Sequence, residues 1–220
     1  MPREEEAMEF QELVRARHSV RLFKSDPIPE ETLRAIVRDA QRAPSTVDAQ
    51  EWKVWIAAGE TLEAIRRECA ALFDAKAPAD ADLKPAAGSD WSEAAKARMA
   101  AFSGARTAAG LDAAKLASQS RLFHAPAVAY LTIPDAGNPW AILDLGGFEA
   151  SFLLAAADRG LGAVPAYNLV KYPEPVKRLL GIPETEQLAI GIALGLEEDC
   201  PLNRFRSQRA ALEDFLVIRS

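Results

Sequence analysis

Residues 140–159 constrain the fold more than any other segment, because their apolar side chains cover nearly every face of a helix. A helix that is apolar all round has to be buried, and the following Gly160 is a residue type that readily ends helices. In a chain of only 220 residues, burial on all sides indicates a contact between subunits. Asp144 and Glu149 on this helix are interpreted as hydrogen-bond partners at that contact, not as an acid–base pair.

The overall composition limits the classes of partner. Hydrophobic residues make up 49% and charged residues 26% of the chain, which is ordinary for a globular protein and predicts one domain over residues 1–220. The net charge of −6 and the pI near 5.1 disfavour general binding to nucleic acid or to an anionic membrane surface. Any site for an anion therefore has to be local.

The cysteines and the lengths of the apolar runs indicate in which cellular compartment we expect the protein. Cys69 and Cys200 lie far apart and form no CxxC or Cys/His spacing, so we expect neither a disulfide framework nor a metal site. The acidic N-terminus lacks the apolar run of a signal peptide, and no stretch reaches the roughly 18 to 20 uninterrupted apolar residues of a membrane span. We expect a soluble, cytoplasmic protein that does not bind membranes.

Hydrophobic periodicity predicts a mixture of helices and strands. Helices are predicted over about residues 8–16, 30–43, 61–73, 91–102, 111–123 and 174–180, and strands over 52–58, 127–133, 162–166 and 188–194. Residues 74–90 are predicted to be a flexible connection, and Ser103-Gly104 a break between two alanine-rich helices. The apolar end at 215–218 is expected to pair with a sheet. Four aromatic residues could line a pocket or belong to the core: Trp91, Phe102, Trp140 and Tyr167.

Most of the cationic side chains that are candidates for binding an anion lie in two short stretches. The N-terminal arginine stretch, residues 17–21, reads Arg-His-Ser-Val-Arg. Guanidinium groups and a hydroxyl are good donors to phosphate oxygens, although such a stretch alone is more often a solvated turn. The C-terminal arginine stretch, residues 203–209, reads Asn-Arg-Phe-Arg-Ser-Gln-Arg. In an acidic chain, two such windows create local positive potential.

The order and spacing of these stretches resemble the nitroreductase family of FMN-dependent oxidoreductases over about residues 10–215. The N-terminal arginine stretch is similar to that family's Arg-Arg/His-Ser-x-Arg phosphate motif. The loop at 43–52, Ala-Pro-Ser-Thr-Val-Asp-Ala-Gln-Glu-Trp, is similar to its Ala-Pro-Ser-Ser-x-Asn-x-Gln-Pro-Trp motif. The C-terminal arginine stretch further resembles the branch that reduces nitrobenzene and nitrobenzoate derivatives.

The resemblance implies an architecture as well as a cofactor. The fold would be an α+β sandwich with a central, mostly antiparallel sheet flanked by helices, in an intertwined homodimer with two FMN sites at its interface. The C-terminal segment, about residues 197–220, would add to the partner's sheet. Residues 74–123 would be a cap that decides which acceptor enters.

The resemblance also assigns residues to the parts of FMN. The first arginine stretch would bind the phosphate and ribityl chain, and Arg206 and Arg209 would close on the same phosphate. The loop at 44–46 would lie along the flavin ring of the other subunit, and a backbone amide within 165–168 would reach flavin N5 and stabilise negative charge on the reduced flavin. The residues implied to bind FMN are Arg17, His18, Ser19, Arg21, Pro44, Ser45, Thr46, Asp48, Pro165, Ala166, Tyr167, Asn168, Arg206 and Arg209.

Two positions depart from the family pattern. Asp48 stands where the family usually has Asn, and a carboxylate can only accept hydrogen bonds. It would repel flavin O2 and lower the redox potential, or else the loop is shifted and Asp48 faces solvent. Glu51 replaces a proline and would loosen the turn before Trp52.

The function implied is NAD(P)H oxidation by a ping-pong cycle, with hydride transfer to flavin N5 and then to a nitroaromatic or quinone-like acceptor. No side chain is expected to act as a dedicated acid or base. Neither Gly146-Gly147 nor Gly160-x-Gly162 follows a strand and opens a helix, so NAD(P)H is expected to bind transiently and not in a Rossmann site. The alternatives are a reductive dehalogenase-type or other specialised flavin enzyme, and a flavin-binding protein with little turnover. A lid tyrosine would favour the dehalogenase, and residues 74–123 contain none.

Overall fold

A computed structural model of the chain describes residues 9–134 and 138–219, so the acidic N-terminal residues 1–8 lie outside the described ranges. Within these ranges the chain forms an antiparallel sheet of four strands in the order β1-β2-β4-β3. The strands are β1 (Lys53–Ala58), β2 (Ala127–Pro134), β3 (Gly162–Ala166) and β4 (Glu186–Gly195). The predicted α+β class and the predicted antiparallel sheet are confirmed.

Eight helices surround this sheet in the described residues. They are α1 (Phe10–Ala16), α2 (Glu30–Ala40), α3 (Gly59–Asp74), α4 (Glu93–Ala108), α5 (Asp112–Gln119), α6 (Pro139–Asp158), α7 (Pro173–Leu180) and α8 (Pro201–Arg204). The predicted strands and most of the predicted helices therefore exist at the expected places.

The central strand β2 shows how the layers form. Its residues are buried on both faces up to the terminal Pro134, which explains its unbroken apolar run. Val128 and Tyr130 face a core with α3 and α7, whereas Ala129 and Leu131 face a second core with α2 and α6. Because successive side chains of a strand point to opposite faces, one strand contributes to both halves of the sandwich.

Helix α6 is only half buried within one chain. Phe148 and Phe152 are fully enclosed in the core, but Trp140 and Leu143 remain more than half exposed. One chain therefore buries only part of α6, and the predicted contact between subunits over the rest of the helix stays a prediction. Among the described residues α6 is the one helix long and apolar enough to cross a membrane, and its Phe148 and Phe152 pack into the core beside the sheet.

The segment before β2 differs from the sequence prediction in two places. Helix α4 continues through Gly104 to Ala108, because a single exposed glycine among alanines costs a helix only about 1 kcal/mol. The preceding connection, 74–90, lacks regular structure apart from one turn, but it is anchored. The Asp82 carboxylate accepts a hydrogen bond from the Leu188 backbone N–H at 2.8 Å and pairs with Lys177 at 2.9 Å. The prediction of flexibility is wrong at this point.

The two edges of the sheet are not equivalent. Along β3, Ser19 forms a bridge with Ala163, so the N-terminal arginine stretch covers part of that edge. Along β1, no strand pairs with the outer edge in the part of the chain that the structure describes. The apolar residues 215–218 do not join their own chain's sheet and stay exposed, with Ile218 at 81%.

Candidate functional site

The backbone of the N-terminal arginine stretch is fixed against β3. After α1 ends at Ala16, the Val20 backbone N–H donates to the Ala163 carbonyl at 3.1 Å. Val20 is fully buried against Gly162, where a Cβ atom would lie only 2.5 Å from the Val20 Cγ2 atom. Since Val20 faces inward, its two neighbours, Ser19 and Arg21, face outward along the extended chain.

The outward side chains line a cavity of about 460 Å³, which we call the arginine cavity. It is lined by Val14, Arg15, Arg17, His18, Ser19, Arg21, Phe102, Phe205, Arg206, Ser207 and Arg209. The fold thus brings together both arginine stretches, from opposite ends of the chain. Six of the residues predicted to bind FMN phosphate lie in this one cavity, although their role in binding remains a prediction.

The guanidinium groups of this cavity donate to neutral acceptors. Arg21 Nη1 donates to the Ser19 carbonyl at 3.1 Å, and Arg209 Nη1 donates to Ser207 Oγ at 2.7 Å. Arg206 donates to the Asn203 carbonyl. Among residues 9–134 and 138–219, no carboxylate forms an ion pair with Arg17, Arg21, Arg206 or Arg209. The positive charge of the cavity is therefore not neutralised by the described protein.

Arg106 on α4 and Lys115 on α5 add further positive charge close by. Burial and the neighbouring Arg106 guanidinium lower the pKa of Arg21. Burial, Arg106 and Arg21 likewise lower the pKa of Lys115 on α5. A lowered pKa of a cationic group means that its charged form is disfavoured, and an anion placed nearby would relieve this cost.

Two carboxylates near the cavity are already engaged. Glu197 accepts a hydrogen bond from His18 Nε2 at 3.1 Å, and Asp112 pairs with Arg106 at 2.6 Å. The Nδ1 atom of His18 lies 2.9 Å from the Ala16 carbonyl. The His18 ring is thus bound on both sides by its own chain.

The loop predicted to contact the flavin ring is held by α6. The backbone N–H and the hydroxyl of Thr46 donate to the two oxygens of Asp144 at 2.8 and 3.1 Å. Asp144 therefore anchors a loop of its own chain, and its predicted place at a contact between subunits stays a prediction. The exposed Asp48 carboxylate accepts a hydrogen bond from Gln50 Nε2 at 2.7 Å. Within one chain Asp48 thus faces solvent, and its contact with flavin stays a prediction.

The other predicted ring contacts lie at the end of β3. Pro165 and Ala166 complete the strand, and Tyr167 and Asn168 begin the turn that follows it; all four are partly buried. Neither this group nor the loop at 44–48 lines the arginine cavity of the same chain.

The reactive side chains elsewhere offer no obvious chemistry. Burial raises the pKa of the Cys69 thiol to about 12, with Glu68 adding to the shift, so this thiol is a poor nucleophile. Burial, together with Arg66 and Arg121, lowers the pKa of His124. In the described ranges no group of three or more His, Cys, Asp or Glu side chains could hold a metal ion.

Several residues around the cavity carry no signal in the sequence. From the sequence, Phe102 could line a pocket or belong to the core. The structure shows that it lines the arginine cavity, with its ring centroid 5.8 Å from that of Phe205. Arg106 and Lys115 do not stand out at all, because they lie in an alanine-rich region without a motif. Only the fold shows that the cap carries positive charge toward this site.

Comparisons with known proteins agree with this geometry. A family model described as "Nitroreductase family" matches residues 14–196. Nitroreductase NfnB of Mycolicibacterium smegmatis is 29% identical over 219 residues, covering 94% of this chain and 92% of that protein. A 4-nitrobenzoate reductase of Nocardioides sp. is 27% identical over 201 residues, covering 86% and 81%.

The solved structures give the same picture. The crystal structure of the FMN-dependent nitroreductase NfnB from Mycobacterium smegmatis in complex with NADPH superposes with a TM-score of 0.88 at 26% identity. The match covers 96% of this chain and 97% of that one. The similarity thus extends over nearly the whole chain.

Proposed function

Because the chain belongs to the nitroreductase family, we propose that it is an FMN-dependent oxidoreductase that takes electrons from NAD(P)H and passes them to a nitroaromatic or quinone-like acceptor. The observation that carries this proposal is the arginine cavity, whose guanidinium groups lack carboxylate partners in the described residues. A phosphomonoester carries about two negative charges and accepts several hydrogen bonds, so it fits such a cavity.

The arginine cavity would hold the phosphate end of FMN. Ser19 offers a hydroxyl, and Arg17 and Arg21 offer guanidinium groups from one side. Arg206 and Arg209 approach from the other side. When bound, FMN supplies hydride transfer through its N5 atom, and the protein's task is to hold and tune the cofactor.

The ring contacts complete this proposal. The backbone of residues 165–168 would donate a hydrogen bond near N5, and the partner's loop at 44–46 would cover the ring. The loop is suited to this task because Asp144 fixes the Thr46 backbone. The carboxylate of Asp48 would disfavour negative charge on the reduced ring if it contacts the pyrimidine edge. NAD(P)H and the acceptor would use the same open face in turn.

We also propose that the protein is a homodimer in which each C-terminal segment pairs with the partner's sheet. A groove of about 700 Å³ lies between α2 and the unpaired edge strand β1, and its apolar lining includes Leu33, Val37 and Ile56. The exposed apolar residues 215–218 suit this groove, since an unpaired edge can accept another strand. The exposed side of α6 would be covered by the same dimer.

A cytoplasmic location completes the proposal. Both cysteines of the chain, Cys69 and Cys200, are free thiols in the structure. Free thiols persist in a reducing compartment, whereas secreted proteins tend to form disulfides. Supply of NAD(P)H for the proposed reaction is also intracellular.

The first test is the visible spectrum of the purified protein before and after anaerobic addition of NADH or NADPH. We expect bound FMN, rapid bleaching by at least one of the two donors, and reoxidation by a nitroaromatic. A protein that takes up no FMN would contradict the proposal. FMN that is bound but bleaches slowly would indicate a flavin-binding protein with little turnover.

Neighbouring arginines provide a matched pair of variants for the same test. Arg206→Ala removes a guanidinium that lines the cavity, and we expect it to lower FMN retention about tenfold, because one charge-assisted hydrogen bond is lost. Arg204 pairs with Asp199 outside the cavity, so Arg204→Ala should retain FMN like the wild type. Equal effects of both variants would argue against the site.

A further inference from the structure

Asn203 is a fully buried polar residue at the start of the C-terminal arginine stretch. Its Oδ1 atom accepts hydrogen bonds from the backbone N–H groups of Arg21 at 2.7 Å and Leu22 at 3.2 Å. Its Nδ2 atom donates to the carbonyls of Leu22 at 2.7 Å and Glu198 at 2.8 Å. An Asn side chain has two donors and two acceptor positions, so its entire capacity is used.

The same residue also contacts the second half of the cavity. The backbone carbonyl of Asn203 accepts a hydrogen bond from Arg206 Nη1. One residue therefore touches the Arg21 peptide through its side chain and the Arg206 guanidinium through its main chain. Among the described contacts, no other residue hydrogen-bonds to both Arg21 and Arg206.

Ser118 holds the Arg21 peptide from the opposite side. This residue lies on α5 in the cap, is 4% exposed, and donates a hydrogen bond from its hydroxyl to the Arg21 carbonyl. The N–H of Arg21 is bound by Asn203 and its C=O by Ser118. With the peptide fixed at both ends, the Arg21 side chain leaves the backbone in a defined direction toward the cavity.

We propose that Asn203, together with Ser118, is a positioning residue that assembles the anion-binding part of the cofactor site. The proposal rests on the proposed function. A buried amide without partners is unfavourable, so Asn203 favours the arrangement in which the N-terminal arginine stretch is docked. That arrangement brings like charges together before any anion is present. Asn203 and Ser118 offset this repulsion and make the cavity ready for a phosphate group.

The proposal predicts that loss of Asn203 weakens the binding of the ligand's phosphate and leaves the binding of its flavin ring nearly unchanged. FMN and riboflavin differ only in that phosphate, so dissociation constants for both are measured by flavin fluorescence on the purified full-length protein. We expect Asn203→Ala to weaken FMN binding about tenfold or more and riboflavin binding less than about twofold. Ser118→Ala should lower the same FMN preference by a smaller factor.

Tyr172→Phe provides the matched control. The Tyr172 hydroxyl also donates to backbone carbonyls, those of Leu72 and Ala77, but at α3 and away from the arginine cavity. This variant should leave the ratio of the FMN and riboflavin dissociation constants unchanged.

The possible outcomes separate the proposal from simpler explanations. Equal loss of FMN and riboflavin binding in Asn203→Ala would show a general structural role, and unchanged binding of both would show no role; either result overturns the proposal. If Asn203→Ala does not fold, Ser118→Ala decides by the same ratio, because it removes only one hydroxyl. A wild-type protein that binds neither flavin would instead contradict the proposed function.

Discussion

Glu186 shows how one buried carboxylate is kept charged at the residue scale. It is 6% exposed and accepts hydrogen bonds from Lys53 Nζ, from the Thr132 hydroxyl, and from Trp55 Nε1 at 3.3 Å. Burial would raise the pKa of Glu186, but the hydrogen bonds from Lys53 and Thr132 outweigh burial and hold the pKa below its ordinary value of 4.5. The charged form is therefore the one that stabilises the fold.

The sign of this shift gives a pH prediction for Glu186→Gln. Because the pKa is lower in the folded state, the unfolded state binds the proton first as pH falls. The stabilisation by Glu186 is complete above about pH 4.5 and is lost as the pH falls through the lower, folded pKa. We expect the free energy of unfolding, measured with urea from pH 7 to pH 3, to fall less steeply below about pH 4.5 in the variant.

An exposed carboxylate provides the control for this measurement. Glu184 has a side chain that is 92% exposed, and it lies 3.8 Å from Lys177. Glu184→Gln should keep the pH dependence of the wild type. An unchanged slope in Glu186→Gln would show that this carboxylate does not contribute to acid sensitivity.

Single residues also show how much of the site is predictable from sequence. Arg17 and Arg21 lie in a motif whose residue types match phosphate chemistry, so the amino-acid sequence alone makes them candidates. The sequence alone does not make Asn203 and Ser118 candidates for a positioning role, because that role depends on a hydrogen bond from each residue to the distant Arg21 backbone. Likewise, nothing in the sequence connects Asp144 to Thr46, so its role in anchoring that loop is seen only in the structure.

At the scale of elements, helix α4 is attached to the rest of the chain by few side chains. None of its residues is buried. Phe102 lies 5.8 Å from Phe205, and the Arg106 guanidinium lies 5.8 Å from the Phe102 ring. A helix with few buried apolar contacts opens at a lower free energy than the core.

Phe102→Ala tests this weak attachment. Loss of an aromatic pair costs about 0.5 to 1.5 kcal/mol, so we expect amide hydrogen exchange in α4 to become about fivefold faster. Exchange in β2 and β4 should change much less, because those strands report global unfolding. The measurement is hydrogen exchange followed by mass spectrometry.

Met99 on the same helix provides the comparison. Its side chain is 51% exposed, and Met99→Ala should leave exchange in α4 close to that of the wild type. If Phe102→Ala behaves in the same way, the aromatic pair does not hold the cap.

The elements themselves are mostly predictable, for a simple reason. Strands such as β2 and helices such as α6 have apolar patterns that only burial explains. The errors occur where the pattern is weak: α4 passes through Gly104 because its neighbours are strong helix formers, and Asp82 is anchored by partners far along the chain. The left-handed backbone at Leu122, Phe123 and His124, with φ of 50°, 59° and 55°, has no sequence signal, since none of them is glycine.

At the scale of the whole molecule, the exposed apolar side chains of the single chain include two groups, on α6 and near the C-terminus. Trp140 and Leu143 of α6 are exposed, and so are Phe215 and Ile218 near the C-terminus. Large apolar side chains grouped in this way indicate a protein–protein contact. The proposed dimer would cover both surfaces at once.

Removal of residues 211–220 tests the proposed exchange of C-terminal segments. We expect the full-length protein to be a dimer by light scattering after gel filtration, and the shortened protein to shift toward the monomer, because the partner's edge strand loses its added segment. Val54→Lys, which places a charge in the groove beside β1, should have the same effect.

A lysine elsewhere on the surface controls for charge alone. Leu116 is 56% exposed on α5, outside the groove, and Leu116→Lys should remain dimeric. A full-length protein that is monomeric at micromolar concentration would contradict the proposed homodimer.

The arginine cavity has a consequence for biosynthesis. Its walls come from residues 14–21, from Phe102 and from residues 205–209, so the first wall is synthesised long before the last one. A nascent chain that has not yet reached residue 205 has the first wall but lacks the last. The phosphate of FMN would therefore find its complete set of donors only after residues 205–209 have emerged from the ribosome.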